Sequence, residues 1–182
     1  MTAEEFAALF DAAEHSVFRL EARQAYAVPT DDASLTAFQE GRPRPERSVR
    51  TSPWLARIAA TTAAGVAWSR VRVVDRPLTE YTRWELLAYV ESQAVGEQIS
   101  LVDLEIVDGT IDLRQDFWLF DGDTPHPQAV ILHYTPDGQV EQREFVVDVT
   151  VVAELVRRRD AATLHAVPLN EFLAYLNGRG GA

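Results

Sequence analysis

The sequence contains no cysteine and no lysine; all 17 of its basic residues are arginine. Without cysteine there can be no disulfide, thiolate metal site or cysteine nucleophile. Without lysine there can be no Walker-type phosphate loop, Schiff base, Ser-Lys dyad or His-x-Lys phosphoryl-transfer motif, since each needs the amine. Positive charge is scarce overall: the formal net charge is −11 and the pI about 4.8. That field opposes contact with phosphate backbones, so direct nucleic-acid binding is not expected. No apolar run approaches the ~18 residues of a membrane span. Met1-Thr2-Ala3-Glu4-Glu5 lacks the basic start and apolar stretch of a signal peptide, so the expectation is a cytoplasmic protein with no membrane contact. Neither a Gly-x-Ser-x-Gly elbow nor a Gly-x-Gly-x-x-Gly loop is present, which lowers serine hydrolases and dinucleotide enzymes.

What the sequence does contain is ordinary globular material. Of 182 residues, 47% are hydrophobic and 25% charged, a balance that buries a core without staples. We expect one domain over residues 1–177 and a loose tail at 178–182. The stretch Asp116-Phe117-Trp118-Leu119-Phe120-Asp121 stands out. Four large apolar residues between two aspartates read as a central strand buried on both faces, too short for an independent helix.

The remaining elements fall around it. Thr2 and Glu5 form a capping-box pattern before a helix to about Glu14. Ser16–Ala22 alternates, with Phe18 and Leu20 on one face and Val17, Arg19 and Glu21 on the other. Ala33–Glu40 reads as a short helix, and residues 42–52 as an exposed Arg/Pro connector. Ser52-Pro53 opens another helix, stopped near Gly65. Val66–Asp75 reads as a strand, Thr79–Val95 as a helix with Leu86, Leu87, Val90 and Ala94 as its core stripe, and Gln98–Asp103 as a second strand. These two strands should run parallel with a right-handed crossover. Ile111–Leu113 is a candidate minor strand. Ala129–Tyr134 and Val140–Val147 make a hairpin about Pro136-Asp137-Gly138. A helix from Asp148 or Thr150 to about Ala166 follows, then a short one at Glu171–Leu176. The sum is α/β bordering on α+β: one mixed sheet of five to seven strands flanked by helices.

Several residues are candidates for function. Arg70 and Arg72 share a strand face and Arg83 lies on the following helix. With Tyr81 and Glu85 as walls, they could form an anionic-ligand pocket, because a guanidinium binds a carboxylate or phosphate bidentately. The competing reading is a solvated face whose arginines pair with Glu85 or Glu21. Arg19 and Glu21 read as structural on the same grounds. Arg44 and Arg47 in the connector, and Arg157 and Arg158 in the Arg157–Arg159 run, are candidate partner-binding residues, with a solvated helix face as the default for the latter. Asp116 and Asp121 bracket a strand about 17 Å long. That is too far apart for a glycosidase pair, so capping is their expected role. The four histidines show no metal-ligand spacing; His133 reads as a half-buried strand residue, and no metal or cofactor is implied. Trp54, Trp68, Trp84 and Trp118 fall at core spacings.

Phe18-Arg19-Leu20-Glu21, Gly65 before Arg70-Val71-Arg72-Val73-Val74, Pro77-Leu78 with Tyr81, Gly96-Glu97 and the Asp116–Asp121 hexapeptide occur here in one order. In this the chain resembles an uncharacterised actinobacterial family of domains of unknown function over about Phe6 to Ala166. Members of that family are often encoded beside helix-turn-helix regulators, so the resemblance implies a transcription regulator as partner. This chain departs from the pattern at Asp103-Leu104-Glu105, where a basic residue is expected, and in an extra loop after Asp121. A more distant similarity in element order is to one half of a phospholipase D-like domain of the catalytically inactive, sensor kind; His133 is followed by no lysine. The expectation is a non-catalytic intracellular regulatory or protein-interaction module. The alternative is a sensor or enzyme with an arginine-lined pocket for an anionic small molecule.

Overall fold

The computed structural model describes residues 1–104 and 112–179. They form a single seven-stranded mixed sheet and six α-helices. In chain order the strands are β1 (Ser16–Glu21), β2 (Ala67–Val74), β3 (Gln98–Asp103), β4 (Phe117–Phe120), β5 (Gln128–Tyr134), β6 (Val140–Val146) and the two-residue β7 (Val167–Pro168). The helices are α1 (Ala3–Ala12), α2 (Asp32–Gln39), α3 (Pro53–Ala63), α4 (Glu80–Gln93), α5 (Val149–His165) and α6 (Leu169–Arg179). Across the sheet the order is β6-β5-β4-β1-β2-β3-β7. The parallel strands β1, β2 and β3 lie beside an antiparallel meander, with β1 paired to β2 on one side and to β4 on the other. This is an open α/β sheet, as the alternation of patterns in the sequence requires.

The local signals explain most boundaries. Thr2 and Glu5 close a reciprocal capping box on α1, satisfying two amide donors that the first turn leaves free. Ser52 caps α3, with proline at its first position, and Thr79 caps α4. Asp148 accepts from the amides of Thr150 and Val151 to start α5. Gly96, with φ +111°, lets the chain leave α4 in the left-handed conformation that other residues resist. The hairpin of β5 and β6 forms where the sequence places it. At the C-terminal end Val167 and Pro168 add a short edge to β3, and one expectation is corrected. The last helix spans Leu169–Arg179, so Gly178 and Arg179 are helical rather than loose. The candidate strand at Ile111–Leu113 begins outside the described residues; Leu113 is buried without belonging to a strand.

Each face of the sheet has its own core. Phe18, Leu20, Val71, Val73, Phe117 and Leu119 point toward Val152, Leu155 and Ala162 of α5. On the opposite face Trp68, Trp118 and Phe120 pack with Phe10 of α1 and Ile58 of α3. The rings meet mostly edge to face, Phe10 lying 4.9 Å from Trp118 and 5.1 Å from Phe120. Further along that face Ile99 and Leu101 meet Leu86 and Tyr89 of α4 and Leu169 of α6. All four residues of β4 are buried, as the two-sided apolar run demands.

Candidate functional site

Between the aromatic cluster and α4, the sheet face changes chemistry. The parallel register sets Arg19 beside Arg70 and Glu21 beside Arg72, and the antiparallel register sets Trp118 beside Arg19. Residues paired across neighbouring strands share a face. Four ionic side chains of β1 and β2 therefore project together, and all four are buried. Glu85 of α4, Glu97 before β3 and Asp116 before β4 join them, also buried.

The layer is internally paired. Arg19 Nη2 donates to Asp116 Oδ2 at 2.6 Å and to the Tyr134 hydroxyl at 3.0 Å. Asp116 also accepts from Tyr26 Oη at 2.7 Å, Tyr134 Oη at 3.2 Å and the Ala22 amide at 2.9 Å. Arg70 bridges Glu21 at 2.7 Å and Glu97 at 2.8 Å. Tyr89 Oη donates to Glu21 Oε2 at 2.5 Å. Arg72 Nε lies 2.8 Å from Glu85 Oε2, yet neither atom completes a hydrogen bond, and Arg72 Nη2 and Arg19 Nη1 are also unsatisfied. The guanidiniums lie against rings as well: Arg19 is 5.1 Å from the Trp118 centroid, Arg70 5.2 Å from Tyr89 and Arg72 5.4 Å from Tyr26. Cations over aromatic faces are favourable where water is excluded.

Two carboxyls are driven in opposite directions. Burial pushes Glu21 up, but Arg70, Arg19 and Arg72 together outweigh it and hold Glu21 at about 2. Burial also pushes Glu85 up, Arg72 offsets this only in part, Glu21 adds to the rise, and the carboxyl reaches about 7. Burial likewise raises the phenols of Tyr26, Tyr81 and Tyr89, so they keep their protons, and Tyr26 and Tyr89 donate to Asp116 and Glu21.

Residues 22–28 lie across the edge of this layer as a strap. Thr79 Oγ1 donates to the Gln24 carbonyl at 2.8 Å, and Gln24 Nε2 donates to the Val73 carbonyl at 3.1 Å. At the other side the Ala27 amide donates to the Gly138 carbonyl at 3.0 Å. Gly138 has φ +91°, and a Cβ there would stand 3.1 Å from Ala27 N and 3.2 Å from Tyr26 Cα. The hairpin turn thus needs glycine both for its backbone and for this approach.

The candidate residues read from sequence are only partly brought together. Arg70, Arg72, Tyr81 and Glu85 converge, but Arg83 is on the exposed side of α4 and does not join them. The face carrying Arg70 and Arg72 is not solvated; the expected partners Glu21 and Glu85 are indeed theirs, but in the interior. The expected core stripe of α4 is also corrected. Leu86 is buried as expected, but Leu87 is 39% and Val90 47% exposed, and α4 also buries Tyr81, Thr82, Trp84, Glu85, Tyr89 and Ser92. A sheet face bearing guanidiniums has to be met by acceptors, so the helix turns its polar side inward.

Arg44 and Arg47 both hold Glu91 on the outer side of α4, at 2.8 and 3.2 Å, so the connector is strapped down there. Arg157 and Arg158 both pair with Glu154, and Arg159 with Asp123 and Asp160. Asp121, with φ 51°, accepts from the amides of Glu14, His15 and Ser16 and is a cap as expected. His133 is half-buried and lies 2.8 Å from Glu144. Among the described residues no group of three or more His, Asp or Glu is placed to hold a metal, and no helix is long and apolar enough to cross a membrane.

Asp116, Tyr26, Tyr89, Glu97 and Tyr134 are layer members that sequence reasoning missed. The usable signal was charge on alternate positions of two strands, Arg19/Glu21 and Arg70/Arg72, whose other faces were plainly core. Glu97 stands out only within the Gly96-Glu97 pattern, and nothing in the local sequence marks Tyr26.

The geometry defines a class: an open-sheet α/β domain whose sheet carries a closed, ion-paired layer under one crossover helix. The chain belongs to the family of the domain of unknown function DUF6879, which matches residues 4–174. No curated protein matches it.

Proposed function

We propose that this chain is a non-catalytic regulatory module of an actinobacterial cytoplasm that acts by protein contact, with a helix-turn-helix transcription regulator as its partner. The observation that carries this reading is the internal pairing of the arginine layer. Arg19, Arg70 and Arg72 face Glu21, Glu85, Glu97 and Asp116, so the basic groups are already neutralised within the fold. An anionic ligand would enter a layer with no positive charge to spare, and Arg83 faces away from it. This weighs against the alternative of an anion sensor or enzyme. A catalytic acid and base need access to substrate as well as shifted pKa values, and these carboxyls are shut beneath α4 and the strap. The distant phospholipase D-like similarity fits an inactive module, since His133 pairs with Glu144 on an exposed hairpin and the sequence has no lysine.

The surface supports contact instead. A groove of about 550 Å³ runs between the Thr124–Gln128 loop and the start of α5. On its rim Val147 is 58% and Val149 82% exposed. Exposed apolar side chains grouped at a concavity mark interaction sites. The net charge of −11 complements the basic surface that a DNA-binding regulator presents. Titration calorimetry with a purified helix-turn-helix regulator from the same organism tests the reading. A complex that Val149→Asp weakens by about tenfold or more is expected. Absence of any complex, or turnover of a phosphodiester or ester by the purified chain, overturns it.

A further inference from the structure

Asp116, Glu21 and Glu97 each accept a hydrogen bond from a guanidinium, although Glu97 Oε2 is itself buried without a hydrogen-bond partner. Asp116 accepts from Arg19, Tyr26, Tyr134 and the Ala22 amide. Glu21 accepts from Tyr89 and pairs with Arg70, and Glu97 accepts from Arg70 Nε. Glu85 is different. Its Oε2 stands 2.8 Å from Arg72 Nε, off the line of a hydrogen bond, and is buried without a partner. Three guanidiniums cannot neutralise four carboxylates, and among the described residues no other cation is buried here. The layer closes at zero formal charge when one carboxyl carries a proton, and Glu85, which alone among the four accepts no hydrogen bond from a guanidinium, is the one placed to carry it.

The surroundings of Glu85 come from every element packed on it. β2 presents Arg70 and Arg72, β1 presents Glu21, and α4 itself presents Tyr81 and Tyr89. Beyond these, the strap places Tyr26 over Arg72, and Asp31 at the start of α2 faces Tyr81. Burial and Glu21 favour the neutral acid; Arg72 and Arg70, by attraction, and the hydrogen bond from Tyr89 favour the carboxylate.

We propose that Glu85 is a proton-binding site that governs the seating of α4 on the sheet. With its proton, Glu85 completes a neutral layer. Without it, an uncompensated carboxylate sits beneath α4, and the helix and strap loosen toward water. The direction follows from linkage. The carboxyl is raised to about 7 in the fold from an ordinary 4.5, so its stabilising contribution is full below about 4.5 and is lost as the pH rises through about 7.

Hydrogen exchange of the α4 amides in the full chain, corrected for intrinsic rates, tests this between about pH 6 and about pH 8. Protection in the native sequence should fall by about tenfold or more over that range, while Glu85→Gln should hold it nearly constant. Equal pH dependence in the two proteins overturns the proposal. Carbon-13 titration of the Glu85 carboxyl in the native sequence decides the matter without a variant. A midpoint between about pH 6 and about pH 8 supports the proposal, and a carboxylate signal unchanged down to about pH 5 overturns it.

Discussion

Alternate residues of the same two strands meet very different partners. Phe18, Leu20, Val71 and Val73 face Val152 and Leu155 of α5; Glu21, Arg70 and Arg72 face Glu85 and Tyr89 of α4, and beside them Arg19 meets Asp116 and Tyr134. On the first face any side chain of fitting volume serves, because dispersion and water exclusion are not directional. On the second, each group has a fixed complement, and removal of one leaves another charged and dry. The contrast shows one sheet combining a tolerant face with an exacting one.

The largest effect should come from the exacting face. Arg70→Met leaves Glu21 and Glu97 without their main cation and should cost about 3–5 kcal/mol in urea unfolding at neutral pH. Leu119→Ala on the α5 face removes volume only and should cost about 2–4 kcal/mol. A much larger loss from Leu119→Ala than from Arg70→Met would break the comparison. Replacing Arg72 and Glu85 together by Met and Leu sharpens it. The double variant should be more stable than Arg72→Met alone, because Glu85 is then not left buried without its cation.

Acid should act on the α4 face first. Glu21 is held at about 2 against an ordinary 4.5, so its contribution is present above about 4.5 and lost as the pH falls toward about 2. Near-ultraviolet circular dichroism of the tryptophans should report loosening in that window, and Glu21→Gln should remove this part of the acid transition. The smallest effect is expected at Thr79→Ala. It deletes the cap of α4 and the tie to the Gln24 carbonyl for about 1 kcal/mol.

These two faces were not equally legible in the sequence. The α5 face was readable because Phe18, Leu20, Val71 and Val73 alternate strictly and the Phe117–Phe120 run admits only a buried strand. Caps at Thr2, Ser52, Thr79 and Asp148 were readable because each depends on a few adjacent residues. The α4 face was misread in its burial. Charged residues at alternate strand positions ordinarily mean solvent, and only pairing at long range reverses that. Glu85 finds Arg72 across a crossover, and Asp116 finds Arg19 nearly a hundred positions away in the chain. Leu87 and Val90 looked like core for the same reason: helical period shows that a stripe exists, but not which stripe a polar floor will choose.

The place of β1 in the sheet has a consequence for how the chain comes to be folded. Val17 aligns with Trp68 on one side and with Phe120 on the other. As the chain is synthesised, the first strand waits for both neighbours, and the second arrives only after more than half the polypeptide has emerged. Until then an edge rich in Val, Phe and Leu stands bare, a template for mispairing. Such distant pairings make for slow assembly. The helix α1, with Phe10 already able to shade Trp68, is the one early element placed to shelter that ribbon.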